Sequence, residues 1–224
     1  FYLRAVSNIL IIGTGGIGAL LARHVYRAIN LSHVRKKICG KLTIMDGDNV
    51  ESRNLSHQPF TLKDVMSPKV ETLAEQLRQM DSGGEGLMSI VAVAENFSKD
   101  TNLAEYDLVV VAVDREEPRN LVHANAKQWL DLRARGDGFV MCSHEDGAGV
   151  LDNLPKLPAG QSASCQLEGA IDGGNIQFGF ALAAAHGAQW IIQWLRNSNV
   201  PKGKMYTIHM GELQFPTKNN EVEV

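Results

Sequence analysis

The sequence has no run of about 18 consecutive apolar residues, so nothing in it reads as a membrane-spanning helix. Cysteine is scarce. Cys39, Cys142 and Cys165 are the three cysteines in 224 residues, and no C-x-x-C pair occurs. That count closes no disulfide framework. It argues against a tetrathiolate zinc site and suits a reducing cytoplasm. Neither sign of charge dominates: 22 Lys and Arg stand against 25 Asp and Glu, for a net charge of -3. There is no basic excess to draw nucleic acid or an anionic membrane surface. Internal repeats and low-complexity tracts are missing. The opening FYLRAVSNILIIG enters an apolar strand almost at once and lacks the layout of a signal peptide.

What is present is an alternation of apolar strands and helical repeats, enough for one large α/β domain over residues 1–224. NILIIG (8–13) reads as a buried strand. Residues 15–32 read as a helix, with apolar Ile17, Leu20, Leu21, Val25 and Ile29 on one face. KLTIMD (41–46) is a second strand. A helix over 67–80 follows, with Ser67 as N-cap and Pro68 at its first position. Residues 88–96 and 107–114 are strands three and four, 118–134 a helix and 138–146 strand five. Apolar strands separated by helices predict a Rossmann-like, mostly parallel sheet with helices on both faces. From 147 to 174 the pattern gives way to a long Gly- and Pro-rich loop, a length that marks function or mobility. A long apolar helix (175–195) and a late strand (204–214) close the chain. So apolar a helix is hard to bury in one monomer, which predicts a dimer, homo- or hetero-.

The glycine turn GTGGIG places Gly13, Gly15, Gly16 and Gly18 between the first strand and the first helix. Such a turn lets backbone amides approach a phosphate at a helix N-terminus, and it also occurs in folds that bind nothing. Asp46 ends strand two, where a carboxylate accepts the hydroxyls of a ribose. Asp48, Asn54, His57 and Lys69 follow in DGDNVESRNLSHQPFTLKDVMSPK (46–69). A triphosphate needs the cations and amides found there. Lys69 falls in the first turn of its helix, where the macrodipole disfavours a cation unless an anion lies beside it. Asp114 ends strand four, at the edge where open sheets bind ligands, and a helix N-cap is the other reading of that aspartate.

These motifs, in this order, resemble the ThiF/MoeB/HesA family, which includes the adenylation domains of ubiquitin-activating enzymes. The family pattern is G-x-G-G-x-G, then D-x-D-x-V-x-x-x-N-L-x-R-Q, then a lysine after Pro or Gly, then D-N. Here Gly13 to Gly18, Asp46, Asp48, Val50, Asn54, Leu55, Gln58, Lys69, Asp114 and Arg119 match over about residues 8–195. Two positions depart: His57 stands at the family's arginine and Arg115 at the asparagine after the aspartate. Arg53 or Arg115 is the alternative source of the missing charge.

The resemblance implies ATP with magnesium, the metal held by Asp114. It implies adenylation of the C-terminal carboxylate of a ubiquitin-like or sulfur-carrier protein ending in glycine, possible hand-over to a downstream conjugating enzyme, and a divergent bacterial member. Cys165, in SASCQLEGAID, lies where the family carries a cysteine that forms a thioester or persulfide. An acyl-accepting thiolate is best placed exposed and near positive charge, and a small structural loop residue is the alternative. Cys39 and Cys142 read as structural, as do His24, His123, His186 and His209, while His144 is expected at the site edge. Two other readings stay open. An NAD-dependent oxidoreductase fits the glycine turn and the strand-two acid. A non-catalytic subunit of a heterodimer fits the loss of arginine at His57.

Overall fold

The computed structural model describes residues 6–31, 39–80, 88–154 and 164–215. Among these residues eight strands form one sheet in the order β3-β2-β1-β4-β5-β6-β7-β8. Strands β1 (Val6–Ile12), β2 (Cys39–Met45), β3 (Met88–Val93), β4 (Leu108–Val111) and β5 (Trp129–Arg135) run parallel. Strands β6 (Gly138–Ser143), β7 (Lys204–Thr207) and β8 (Gly211–Leu213) continue it antiparallel. Among the described residues the α-helices are α1 (Gly16–Asn30), α2 (Lys69–Met80), α3 (Glu116–Asn125), the one-turn α4 (Ala148–Leu151) and α5 (Gly179–Leu195).

Strand β1 shows why the sheet is covered on both sides. Its Ile9 and Ile11 face one core with the apolar stripes of α1, α2 and α5. Its Leu10 and Ile12 face a second core with Val122 of α3, Leu103 and Leu154. All four are buried, so the strand reads as a continuous apolar run rather than an alternation. Asn30, the last residue of α1, is buried and ties down the sheet edge. Its Nδ2 donates to the Met88 carbonyl and its Oδ1 accepts from the Met88 N–H, each at 3.0 Å.

The α/β class, the parallel core and the order of the first four strands are as the sequence predicts, but β3 ends at Val93 and β4 at Val111, so Asp114 lies beyond its strand rather than at its last residue. Four local expectations change. The helix expected over 118–134 is confined to α3, and its second half is strand β5. Leu130 and Leu132 enter the α5-side core while Asp131, Arg133 and Arg135 take the other face, a period-two pattern that sheet pairing enforces over helix propensity. The strand expected fifth is β6, which runs antiparallel, and the expected late strand is the β7–β8 hairpin. Helix α2 begins one residue late: Pro68 pairs with Asn49 in an isolated bridge, and its carbonyl accepts the first helical bond from Thr72 at 3.1 Å.

The apolar helix α5 is buried within this chain. Phe180, Ala183, Ala184, Trp190, Ile191, Trp194 and Leu195 join the core with α1, β5 and β6. Its apolar face needs no second copy, so that ground for a dimer falls away. Trp190 is fully buried in the middle of this interface. Its replacement by Ala should lower unfolding free energy by about 3–5 kcal/mol, read from urea denaturation of the two proteins.

Candidate functional site

A cleft of about 700 Å³ opens at the carboxyl ends of the parallel strands. Gly13, Gly15, Gly16, Asp46, Asp48, Asn54, His57, Asp114 and Cys165 all line it. The glycine turn is tight for identifiable reasons. Gly13 has φ +89°, and a side chain there would meet the Ala112 carbonyl at 2.7 Å. Gly18 does not line the cleft. It lets α1 sit on the turn, since a Cβ at Gly18 would lie 1.8 Å from the Gly13 carbonyl oxygen. The turn is tied to β2 by the Gly13 N–H, which donates to the Met45 carbonyl at 2.8 Å.

Asp46 completes that tie. Its Oδ2 accepts from the Thr14 N–H at 2.6 Å and from the Thr14 hydroxyl at 3.0 Å. Its Oδ1 accepts from the Asp48 N–H at 2.9 Å. A carboxylate offers about four acceptor positions, so one is left for a hydroxyl from a ligand. The segment beyond it folds on Asn54, which is buried. The Asn54 side-chain oxygen accepts from the Glu51 N–H at 2.9 Å, and its carbonyl accepts from the N–H groups of His57 (3.1 Å) and Gln58 (2.8 Å). His57 is thereby turned to the cleft, edge-on to Phe180. Burial, and then the charge of Lys69, hold its pKa below the ordinary histidine value. At neutral pH it is an uncharged hydrogen-bonding group where the resemblance has a cation. Arg53 and Arg115 both line the cleft, and Arg53 is paired with Glu51 at 2.5 Å.

Lys69 differs from expectation. It starts α2 as the sequence implies, but it is buried and does not line the cleft. Its Nζ lies 2.9 Å from Asp48 Oδ2, and its N–H donates to the Asp48 carbonyl at 3.0 Å. The anion beside the unfavourably placed cation is therefore Asp48.

Asp114 is exposed in the cleft. The N-cap of α3 is Arg115, so Asp114 lies one residue ahead of the cap. Behind it stands a charged cluster that the sequence reading missed. Arg119 is buried and donates to Asp131 and to the carbonyls of Val113 and Leu132. Arg133 donates to Asp131 Oδ2 at 2.8 Å and to Glu116 Oε1 at 2.6 Å. His123 stacks on Trp129, with Nε2 3.1 Å from Asp131 Oδ2 but not aligned as a hydrogen bond. Burial, reinforced by Arg133 and Arg119, pushes His123 down to about 4. Glu116, Arg119, Arg133 and Arg135 line the cleft with Asn96 and Phe97. The alternation in WLDLRAR was the available signal for the β5 residues.

Cys165 is half-buried, with Sγ against the glycine turn: a Cβ added at Gly16 would lie 3.5 Å from it. Its carbonyl accepts from Gly136 at 2.8 Å. Gln166, next to it, is buried and makes two bonds to the Gln177 backbone, at 2.7 and 2.9 Å. Burial pushes the Cys165 thiol up, so in this conformation it is not the exposed thiolate that the resemblance asks for. Cys142 is buried, and desolvation pushes it up to about 12. The side chain of Cys39 and residues 155–163 of the expected long loop lie outside the described parts.

His144 is not at the site. Because β6 runs antiparallel, its end lies at the far edge of the sheet, where the Trp129 N–H donates to His144 Nδ1 at 3.2 Å. His209 is exposed beside the β7–β8 turn rather than inside an apolar strand, and His24 is an exposed residue of α1. His186 packs with Phe139 and Tyr206 as a structural residue.

A sequence model described as the ThiF family matches residues 3–222. The chain belongs to the ThiF family. In this ThiF-family chain the glycine turn, Asp46 and Asp114 line one cleft at the carboxyl edge of the sheet. Mouse (Mus musculus) adenylyltransferase and sulfurtransferase MOCS3 is 26% identical over 176 residues, covering 75% of this chain and 36% of MOCS3. Among solved structures, E. coli MccB with MccA-N7isoASN superposes with TM-score 0.65 at 20% identity, over 96% of this chain and 66% of that one. MccB with ATP gives 0.59 at 18%, over 96% and 64%. PaaA gives 0.61 at 16%, over 93% and 64%. These structures share the ThiF fold. The chain spans about a third of the length of MOCS3 and under two thirds of PaaA.

Two outcomes follow. Gly18→Ala drives a methyl group into backbone and should prevent the turn from forming, whereas Gly15→Ala meets only Gln58 Nε2 at 3.9 Å and should fold normally. Thermal melts of both variants check this. The depressed His123 pKa means that the unfolded chain binds a proton there from about pH 6.5 downward while the folded chain does not until about pH 4. Stability should therefore fall as pH drops through that window, and the fall should be shallower in His123→Gln.

Proposed function

We propose that this ThiF-family chain is the adenylating domain of an E1-like enzyme. It would transfer AMP from ATP to the C-terminal carboxylate of a protein or peptide. One observation carries the reading: a single cleft joins the glycine turn and the Asp46 carboxylate to Asp114, which has no hydrogen-bond partner among the described residues. An ATP lying along it would place phosphates at the N-terminus of α1 and one ribose hydroxyl on Asp46. A substrate carboxylate oxygen attacks the α-phosphorus. The bond from that phosphorus to the bridging oxygen breaks, pyrophosphate leaves, and an acyl-adenylate remains. The chain's own groups supply position and charge: Asn54 and His57 as hydrogen-bonding groups, Arg53 or Arg115 as cations, and Lys69 acting through Asp48.

The donor set fits a magnesium ion brought with the nucleotide. No group of three His, Cys, Asp or Glu that could hold a metal by itself exists among the described residues. One free carboxylate, Asp114, is what a phosphate-bound magnesium takes from a protein. When bound, the ion would neutralise phosphate charge.

The finer reading has four parts. The substrate is a ubiquitin-like or sulfur-carrier protein ending in glycine, or a peptide. The chain works as a dimer. The cytoplasm is its compartment; no helix among the described residues is long and apolar enough to cross a membrane. Cys165 takes the acyl group after pyrophosphate leaves, which requires its loop to move and expose the thiol. MOCS3 is named an adenylyltransferase and sulfurtransferase, and MccB has been crystallised with ATP and with MccA, which supports substrates of both kinds.

Isothermal titration should show ATP binding in magnesium and none of comparable affinity for NAD; the reverse preference would favour an oxidoreductase. Asp114→Ala should lower ATP–pyrophosphate exchange by about 100-fold or more. Cys165→Ala should keep exchange yet lose any thiol-sensitive adduct with the carrier. An adduct that persists in that variant would make Cys165 structural.

A further inference from the structure

Asp114 has a solvent-facing carboxylate with no hydrogen-bond partner among the described residues, so the backbone alone sets its aim. That backbone is held on both sides from a single residue. Asp131 is fully buried on β5. On one side, its Oδ1 takes Arg119, whose other nitrogen donates to the carbonyl of Val113, immediately before Asp114. On the other side, its Oδ2 takes Arg133 at 2.8 Å, and Arg133 holds Glu116 at 2.6 Å, two residues after Asp114. Arg119 also donates to the Leu132 carbonyl at 3.2 Å, which fastens the assembly to the strand itself.

Stability gives little reason for this arrangement. Burying Arg119 and Asp131 and half-burying Arg133 costs desolvation, and apolar residues of similar volume commonly do as well or better. What the charged cluster supplies is geometry. The guanidinium of Arg119 is a rigid fork that joins a carboxylate on β5 to a carbonyl just beyond the end of β4, and an apolar side chain cannot do that. Chains of this kind fix the ligands of metal sites elsewhere, and their loss weakens metal binding.

We infer that Asp131 is a positioning residue: through Arg119 and Arg133 it clamps the Val113–Glu116 segment and aims the Asp114 carboxylate at a magnesium-bound nucleotide. This rests on the nucleotide reading above. Asp131 itself touches neither metal nor nucleotide.

The test measures ATP affinity of the full chain by isothermal titration, once with excess magnesium and once with EDTA. Wild type should bind ATP more tightly with magnesium. Asp131→Asn keeps shape but loses the charge. It should reduce that magnesium-dependent gain by about tenfold or more while leaving the affinity in EDTA nearly unchanged. Because Asp131→Asn leaves buried arginine charge uncompensated and can fail to fold, the double variant Asp131→Asn/Arg119→Met is measured beside it. The double variant removes one charge of each sign and should melt nearer wild type, yet still lack the magnesium gain, since Val113 is no longer held. A full magnesium gain in either folded variant overturns the proposal, as does an equal loss with and without magnesium, which would mean general damage to the cleft. ATP binding by wild type with no magnesium gain overturns this proposal and leaves the nucleotide reading standing. No ATP binding by wild type overturns both.

Discussion

The carboxylate of Asp46 accepts two hydrogen bonds from Thr14, and the cleft takes its shape from that contact. The turn after β1 reverses the chain in a few residues and would otherwise be free to open. Its two ties to β2, from Gly13 to Met45 and from Thr14 to Asp46, fix where the first amides of α1 point. The same carboxylate also accepts from the Asp48 N–H, so the segment carrying Asn54 and His57 leaves from a fixed place. One side chain thus aligns the glycine turn with the polar segment opposite it. The turn leaves β1, a strand with apolar packing on each face, which keeps the alignment rigid.

The second constraint is the reversal of direction after β5. Up to that strand every carboxyl end lies at one edge, so Gly13, Asp46, Asn96, Asp114 and Arg135 converge there. Beyond it the edges alternate. The start of β6 joins the site and its end leaves it, which is why Phe139 lines the cleft and His144 does not. The alternation of side chains along β5 buries Leu130 and Leu132 against α5 on one face and sets the Asp131 cluster on the other.

Charge is distributed unevenly along the cleft. The Lys69–Asp48 pair is internally neutralised, and His57 is held uncharged near neutrality by burial and by Lys69. The positive side chains that line the cleft are all arginines: Arg53, Arg115, Arg119, Arg133 and Arg135. Arg119 and Arg133 are bound to Asp131. An anion entering near His57 would meet a hydrogen-bonding ring rather than a fixed cation at that position, and attraction would come from the arginines around it.

Much of the fold was legible in the residues themselves. Continuous apolar runs at β1, β2 and β4 encode burial on both faces, and the glycines at 13 and 18 encode a turn that no side chain fits. The identity of Asp46, Asn54, His57 and Asp114 as cleft residues could be read from their places at strand ends and in one polar segment. What local sequence could not decide were the points where a distant partner outvotes propensity. Residues 129–135 have good helix formers, and they are a strand because β4 and β6 lie on either side to pair with them. Lys69 faces Asp48 rather than the cleft, and the apolar α5 closes on α1 rather than on a second chain. The apolar runs of β1, β2 and β4 and the glycine turn are set by forces acting within a few residues, so the sequence alone determined them. Strand direction after β5, the Asp131 cluster and the burial of Cys165 depend on contacts far apart in the chain, and only the tertiary structure decided those.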